Sequence, residues 1–368
     1  MRPLRVLVVA GGTGGHIFPA LAVAEEMVRR GTASVSGDPQ FQFLGTARGL
    51  ESRLIERSGF AYRALPAAGL KGIRGWRFAK NALVLPRSFW KAARALRSFR
   101  PDVVMGMGGY VAGPVLLEAA VLRIPTIIVE PNASPGFTNR VLAPLVTLVA
   151  TGFEETSRCF GSKARLTGLP VRRAFFDIPA RDHKPPFTIL IFGGSQGSAA
   201  INRAVLEALP LLALRRWQFV HQTGERDAVA VREAYERAGV AARVHAFIDD
   251  MPSAFAAADL LISRAGASTL GEVLAAGKAA LLVPFPGATD QHQIENARAL
   301  ERARVARVIE QSDLTPERLV AEIDELAARP ERLTAMEQAA RSMAVPDAAA
   351  RIADLIETLG RRGSEHQV

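Results

Sequence analysis

An α/β fold with doubly wound parallel sheets, in two domains, is what this sequence predicts. Short β-branched runs alternate with Ala-, Leu- and Arg-rich stretches along the whole chain. The runs are mostly apolar rather than alternating apolar and polar, as strands covered on both faces of a parallel sheet should be. Such alternation of β and α elements defines the doubly wound class. A third observation is an internal echo. The run 5–10 enters Gly11-Gly12-Thr13-Gly14-Gly15-His16 and then a helical stretch at 20–30; the run 188–192 enters Gly193-Gly194-Ser195-Gln196-Gly197-Ser198 and then a helical stretch at 199–209. Gly11 and Gly193 stand 182 residues apart, half of a 368-residue chain. At ~150 residues per domain, the simplest reading is two similar Rossmann-like domains, each opening on strand, glycine turn and helix.

The elements follow in order. Strands are expected at 5–10, 41–44, 103–105 and 126–129 in the first half, and at 188–192, 218–221, 260–262 and 280–283 in the second, short runs that are mostly apolar. The stretch 88–100 sets Phe89, Ala92, Ala93, Leu96 and Phe99 at helical spacing, with Lys91 and Arg94 on another face. Residues 168–172 and the Pro- and charge-rich segment 177–186 are the linker candidates. Domains are therefore expected at 1–170 and 171–345, followed by one more amphipathic helix at about 346–362.

Composition narrows the class. Apolar residues make up 49% and charged residues 22%, an ordinary globular balance. The single cysteine, Cys159, excludes an intrachain disulfide framework and a multi-cysteine zinc site, which makes a reducing, cytoplasmic setting the default. The apolar run 6–10 is too short for a signal-peptide centre. No stretch approaches 18 uncharged apolar residues; 111–129 is broken by Glu118, Arg123 and two prolines. The chain is thus not expected to span a membrane, though it could lie against one. The net charge of +10 points to an anionic partner: nucleic acid, membrane surface or phosphorylated substrate. That charge is concentrated. Residues 57–101 carry eleven Lys and Arg and no Asp or Glu, with Trp76, Phe78, Phe89 and Trp90 interleaved. Much of 89–99 reads as an amphipathic helix with a solvated basic side. The apolar, aromatic and basic mixture at 73–85 suits docking to an anionic bilayer.

A glycine turn between strand and helix exposes backbone N–H groups at the positive end of the helix dipole, where phosphate binds. A dinucleotide is not implied. Neither turn reads G-x-G-x-x-G, and Gly45-Thr46-Ala47-Arg48 stands where an acidic residue would end the second strand. Gly271 to Gly277-Lys278 has five intervening residues and Ala279 after it, which is no Walker A loop. A tight turn that needs glycine only for positive φ is the alternative for each loop, but two such loops in matching positions favour phosphate binding.

Five motifs, in this order, carry a resemblance: Gly11-Gly12-Thr13-Gly14-Gly15-His16; Met105-Gly106-Met107-Gly108-Gly109-Tyr110; Gly193-Gly194-Ser195-Gln196-Gly197; Phe247-Ile248-Asp249-Asp250-Met251; and Arg264-Ala265-Gly266-Ala267-Ser268-Thr269-Leu270-Gly271-Glu272. Together they resemble the MurG family of peptidoglycan N-acetylglucosaminyltransferases, over about residues 5 to 355. The resemblance implies a GT-B fold, two Rossmann-like domains facing across a cleft, with the last helix returning to the N-terminal domain. It implies inverting transfer of GlcNAc from UDP-GlcNAc to the C4 hydroxyl of MurNAc in undecaprenyl-diphospho-MurNAc-pentapeptide (lipid I), forming lipid II. It further implies a peripheral location on the cytoplasmic face of the bacterial inner membrane, with no cofactor and no specific nucleic-acid partner. Two departures stand out: Glu130-Pro131-Asn132 where the family has Gln in the middle, and Gly168-Leu169-Pro170-Val171-Arg172 where it has Asn second. Asn132 and Arg172 are retained.

Glycosyl transfer needs a base for the acceptor hydroxyl and fixed donors for the leaving diphosphate. No D-x-D metal motif is present and the six His are scattered, so no metal site is expected. His16 is the candidate base, by residue type and by the resemblance; capping its own loop is the alternative. The resemblance assigns UDP-GlcNAc contacts to Thr13, Gly14, Gly15, Asn132, Arg172, Ser195, Ile248, Ala267, Ser268, Thr269, Leu270, Gly271, Glu272 and Gln293. Among these, Ser195 and Arg172 would meet phosphate, the Ile248 backbone uracil, Glu272 the ribose hydroxyls and Gln293 the sugar. Thr269-Leu270-Gly271-Glu272 equally fits a capping box, Ile248 fits plain core, and Gln293 a solvated helix start. Gly106, Gly108, Gly109 and Tyr110 would face the acceptor diphosphate, and Ile73, Trp76, Lys80 and Leu83 the membrane. A UDP-sugar epimerase on a similar two-domain fold, and a nucleic-acid binder using the basic window, are the rival readings. The first should act without an acceptor; the second lacks any helix-turn-helix or RRM pattern.

Overall fold

The computed structural model describes residues 3–11, 14–31, 40–46, 51–66, 85–288 and 291–365. Thr13, Ile73, Trp76, Lys80 and Leu83 lie outside the described residues. The chain divides into two compact units, one reaching Arg172 and resuming at Asp347, the other Arg173–Pro346.

The N-terminal unit is a parallel sheet of seven strands: β1 (Arg5–Val9), β2 (Gln40–Thr46), β3 (Ala61–Leu65), β4 (Val103–Gly106), β5 (Thr126–Glu130), β6 (Leu148–Thr151) and β7 (Ala164–Leu166). Their order across the sheet is β3-β2-β1-β4-β5-β6-β7, with Val6 opposite both Phe41 and Val103. Helices α1 (Gly14–Gly31), α2 (Glu51–Arg57), α3 (Leu85–Phe99), α4 (Gly109–Val121), α5 (Phe137–Leu142) and α6 (Glu154–Phe160) connect them. The two-residue period of β1 divides the core. Val6 and Val8 pack with Ile17 and Leu21 of α1, while Leu7 and Val9 pack with Leu96 of α3 and Val115 of α4. Both faces are therefore dry from Val6 to Val9, which is why the strand is apolar after Arg5. In α3, Ala92, Ala93 and Leu96 are buried and Trp90 is exposed.

The C-terminal unit repeats the scheme with β8 (Thr188–Phe192), β9 (Gln218–Gln222), β10 (Ala242–His245), β11 (Leu260–Ser263), β12 (Ala280–Leu282) and β13 (Ala306–Val308). Its order, β10-β9-β8-β11-β12-β13, reproduces that of the first six strands of the other unit. Helices α7 (Ala199–Leu212), α8 (Ala228–Arg237), α9 (Met251–Ala257), α10 (Ala267–Ala276), α11 (His292–Arg302), α12 (Pro316–Ala327) and α13 (Pro330–Met343) complete it. In each sheet the order reverses between the first and fourth strands, the switch point where doubly wound folds bind ligands beyond the strand carboxyl ends.

The last helix, α14 (Ala348–Glu365), belongs to the N-terminal unit. Its Ile352, Ala353, Ile356 and Leu359 join the core cluster of β1 and α1, and Asp354 meets Arg30 at 2.6 Å.

After the unit boundary, residues 178–183 are pinned to the amino ends of the second sheet. Asp259, fully buried before β11, accepts from Arg181 Nε (2.6 Å), pairs with His183 Nδ1 (3.1 Å) and accepts from Thr188 N (2.8 Å). The other His183 nitrogen lies 3.4 Å from Glu337 Oε2, and Lys278 Nζ donates to Ala258 O at 2.7 Å. Hydrogen bonds to Asp259 and then Glu337 push the His183 imidazole up to about 9, while burial pulls Lys278 down to about 8.

Candidate active site

At the N-terminal switch point β1 ends at Val9 and α1 begins at Gly14, so Gly14 and Gly15 open the first turn of an 18-residue helix. His16 follows them, and its Nδ1 donates to Gly11 O at 2.9 Å. That bond places the proton on Nδ1 and leaves Nε2 as the basic nitrogen. The loop capping anticipated as an alternative is thus present, and it orients the ring rather than consuming the basic nitrogen.

The neighbouring loop comes from β4. Gly106 lies where a Cβ would stand 2.6 Å from Leu116 Cδ1, so it admits α4 onto the sheet. Gly108 (φ 92°) and Gly109 (φ 76°) take conformations that disfavour any side chain. A Cβ on Gly109 would reach within 3.2 Å of Gly11 O and 3.5 Å of the His16 ring. The two glycine loops are therefore in close approach around His16. Tyr110, in the first turn of α4, is half exposed.

Glu130, at the end of β5, is the residue that sequence reasoning missed here. It is 1% exposed, yet its carboxylate accepts from Asn132 N (3.0 Å), Asn132 Nδ2 (2.9 Å), Gly136 N (2.8 Å) and Asn139 Nδ2 (2.8 Å). Asn139 in turn lies against Gly108. A buried carboxylate with four donors is a fixed post, and it sets both Asn132 and the 106–109 loop. The two departures from the family pattern meet nearby: a side chain on Gly152 would strike Leu169 and crowd the Pro131 carbonyl. Arg172 lies in the N-terminal unit rather than at the head of the other, its guanidinium 5.1 Å from the Phe18 ring centroid and attracting Glu25. Burial raises the Glu25 carboxyl, and Arg172 partly offsets it.

In the C-terminal unit the turn after β8 holds Ser195, half-buried, between Gly194 (φ 89°) and Gly197 (φ 73°). A Cβ on Gly197 would collide with the Thr223 carbonyl, and one on Gly224 with that of Gln196. These glycines serve close backbone approach as well as positive φ. The turn ends on Ser198, whose hydroxyl caps the 14-residue α7 through Ile201 N at 3.4 Å. Beneath it, Asn202 Nδ2 donates to Thr223 O (3.0 Å) and Asp227 Oδ2 (2.8 Å), and Asn202 Oδ1 meets His221 Nε2 at 3.1 Å. Burial drives His221 down to about 3, so it supports the loop as a neutral ring.

Next to that turn, β11 runs into α10 through Arg264. Its guanidinium donates to the Val283, Pro284 and Gln311 oxygens, lies 5.3 Å from the Phe285 ring centroid, and is lowered to about 10 by burial. The capping-box alternative for 269–272 is excluded. α10 starts at Ala267 with Gly266 as its N-cap, so Thr269 is already the third helical residue and Glu272 lies a turn further in, nearly buried. The chain enters the helix directly from the strand, one turn earlier than the Thr-to-Glu spacing suggests. The first-turn positions 267–269 carry the positive end of the helix dipole. Leu270 and Gly271 are buried, and the Leu270 amide is already spent on Gly266 O. The expectation for Ile248 also changes, because its backbone N–H donates to Gln222 Oε1 at 2.8 Å. Gln293 lies in the first turn of α11, its Oε1 accepting from Phe285 N at 3.0 Å. Among the described residues, no cluster of three or more His, Cys, Asp or Glu is arranged to hold a metal ion, and no helix is long and apolar enough to cross a membrane.

Comparison with known proteins fits this layout. Residues 6–151 match the glycosyltransferase family 28 N-terminal domain and residues 188–352 its C-terminal domain. The crystal structure of Acinetobacter baumannii MurG superposes with a TM-score of 0.75 and 34% identity, covering 97% of this chain and all of that one. Two Rossmann-like units of one strand order, each matched by a family 28 glycosyltransferase domain, make this a glycosyltransferase of the GT-B fold. The UDP-N-acetylglucosamine--N-acetylmuramyl-(pentapeptide) pyrophosphoryl-undecaprenol N-acetylglucosamine transferase of Anaeromyxobacter dehalogenans is 46% identical over 98% of this chain and 94% of its own length. The Myxococcus xanthus protein of the same name is 43% identical over 98% and 96%. The chain belongs to this family, the MurG glycosyltransferases.

Proposed function

We infer that this chain transfers GlcNAc from UDP-GlcNAc to the C4 hydroxyl of MurNAc in lipid I, forming lipid II. The observation that carries the reading is the presence, in a MurG-family chain, of a glycine turn leading into a capped helix start at one switch point and a tethered imidazole at the other. The acceptor hydroxyl attacks the anomeric carbon from the face opposite the diphosphate, which inverts it. His16 Nε2 takes the hydroxyl proton. Negative charge gathering on the leaving UDP is met by Ser195 and the amides of its turn, by the start of α10 at Ala267, Ser268 and Thr269, and by Arg172. These fixed donors act without a metal. Glu272 holds the ribose hydroxyls. The Ile248 backbone carbonyl faces uracil, since its amide is engaged. Gln293 offers Nε2 to the sugar, and Thr13, Gly14, Gly15 and Asn132 complete the substrate contacts. Gly106, Gly108, Gly109 and Tyr110 receive the acceptor diphosphate. The lipid places the reaction at the cytoplasmic face of the inner membrane, with Ile73, Trp76, Lys80 and Leu83 toward the bilayer.

Incubation with UDP-GlcNAc and a lipid I analogue tests the reading directly. Release of UDP that requires the acceptor supports it. Conversion of UDP-GlcNAc in the absence of acceptor would assign the chain to the epimerase class instead.

A further inference from the structure

Gln222 closes β9 and is 1% exposed, an uncommon place for a carboxamide. Both of its ends are used. Nε2 donates to Gly194 O at 2.8 Å, and Oε1 accepts from Ile248 N at 2.8 Å. These partners belong to different loops, one after β8 and one after β10. β9 lies between those strands in the sheet, so a side chain at its carboxyl end reaches both. Gly194 O also accepts from Gly197 N at 2.9 Å, which makes it the closing carbonyl of the turn that carries Ser195. The polarity of the span is fixed: a donor must face Gly194 and an acceptor must face Ile248. Glutamine supplies both, a carboxylate lacks the donor, and methionine has no donor and only a weak sulfur acceptor.

We propose that Gln222 is a positioning residue for the donor nucleotide, locking the phosphate-facing turn 193–197 to the base-facing segment 247–249 so that diphosphate and uracil bind as one unit. The proposal rests on the reading of this unit as the UDP-GlcNAc site. Gln222 meets no reacting atom. It fixes the spacing of the two loops before the nucleotide arrives, so its loss weakens ligands that span both loops and spares those that touch one.

Two variants test this. Gln222→Met keeps the length of the side chain without its hydrogen bonds. It is expected to raise the KM for UDP-GlcNAc and the Kd for UDP about tenfold, the scale of one or two lost hydrogen bonds. The Kd for uridine, the KM for the lipid acceptor and kcat should each stay within about threefold. Gln222→Glu at pH 7.5 is expected to be worse, because a carboxylate faces the Gly194 carbonyl. Its KM for UDP-GlcNAc, relative to wild type at the same pH, should fall as pH drops toward 5, where a protonated carboxyl again donates and accepts. A role confined to folding would lower Tm and weaken uridine and UDP together, with no recovery in acid, and would overturn the proposal. So would a Gln222→Met enzyme that binds UDP at wild-type strength. Wild-type protein that fails to bind UDP overturns the reading of the site and this proposal with it.

Discussion

His16 sits where three local requirements meet: a helix that starts at Gly14, a carbonyl at Gly11 that claims Nδ1, and a second glycine loop that leaves room for the ring. A base held in one tautomer needs no reorganisation at the moment of proton transfer. His16→Ala is therefore expected to lower kcat about 100-fold, the scale of lost acid–base catalysis, with the KM for UDP-GlcNAc little changed; steady-state kinetics against both substrates reads this. Turnover near wild type in folded protein would remove His16 from the mechanism. Glu272 offers a sharper separation now that α10 is seen to begin at Ala267. A carboxylate beyond the first turn gives no cap, so Glu272→Gln should raise the KM for UDP-GlcNAc about tenfold while Tm moves by no more than a few degrees. A loss of Tm with unchanged KM would make Glu272 a packing residue.

At the scale of elements, what the sequence made legible largely followed burial, with the buried interior strand β6 as the exception. The central strands β1, β4, β5, β8 and β11 are dry on both faces and were visible as apolar runs. The edge strands β3, β7 and β10 keep exposed or half-exposed residues and blend into their surroundings. The glycine turns were legible because positive φ and close approach exclude side chains. Glu130 and Gln222 were not, because their meaning lies in partners on other loops. The anchor of 178–183 was equally hidden, since His183, Asp259 and Glu337 are far apart in sequence. It has a pH signature. His183 is raised from 6.5 to about 9, so the stability it contributes is complete below pH 6.5 and is lost as pH rises through 9. Lys278 acts oppositely: its folded value of about 8 lies below 10.5, so the cost of burying its ammonium is present below pH 8 and relieved between 8 and 10.5. Unfolding of the wild type should thus become easier between pH 6.5 and 8, hold level between 8 and 9 where the two effects oppose each other, and become harder from 9 toward 10.5 as the Lys278 cost is relieved. His183→Gln should flatten the first limb, by of order 2 kcal/mol. Denaturant melts at pH 6.5 and 8 measure it, and identical slopes for wild type and variant would deny His183 the role.

Across the whole molecule the charge of +10 is not a general property. Residues 57–101 hold eleven basic side chains without an acidic one, while the other residues carry 35 basic against 36 acidic. A near-neutral body with one basic, aromatic-studded segment supports the proposal that this segment docks on an anionic membrane. Each Lys or Arg close to an anionic surface is worth about 1 kcal/mol, and the attraction decays within a Debye length. On that proposal, a few such residues together with the apolar side chains of 73–85 would give reversible attachment. Sedimentation with vesicles is expected to show binding to membranes rich in anionic lipid at low salt, several-fold weaker binding at 0.5 M salt, and little binding to neutral vesicles. Replacing Lys71, Arg74, Arg77 and Lys80 with Gln should reduce binding at least tenfold and leave turnover of a short-chain, water-soluble acceptor intact, because these positions lie apart from the glycine turns in sequence and none is assigned to chemistry. Equal binding to neutral and anionic vesicles, or none to either, would sink the electrostatic account. Loss of activity on the soluble acceptor as well would move the segment from the membrane to the acceptor site.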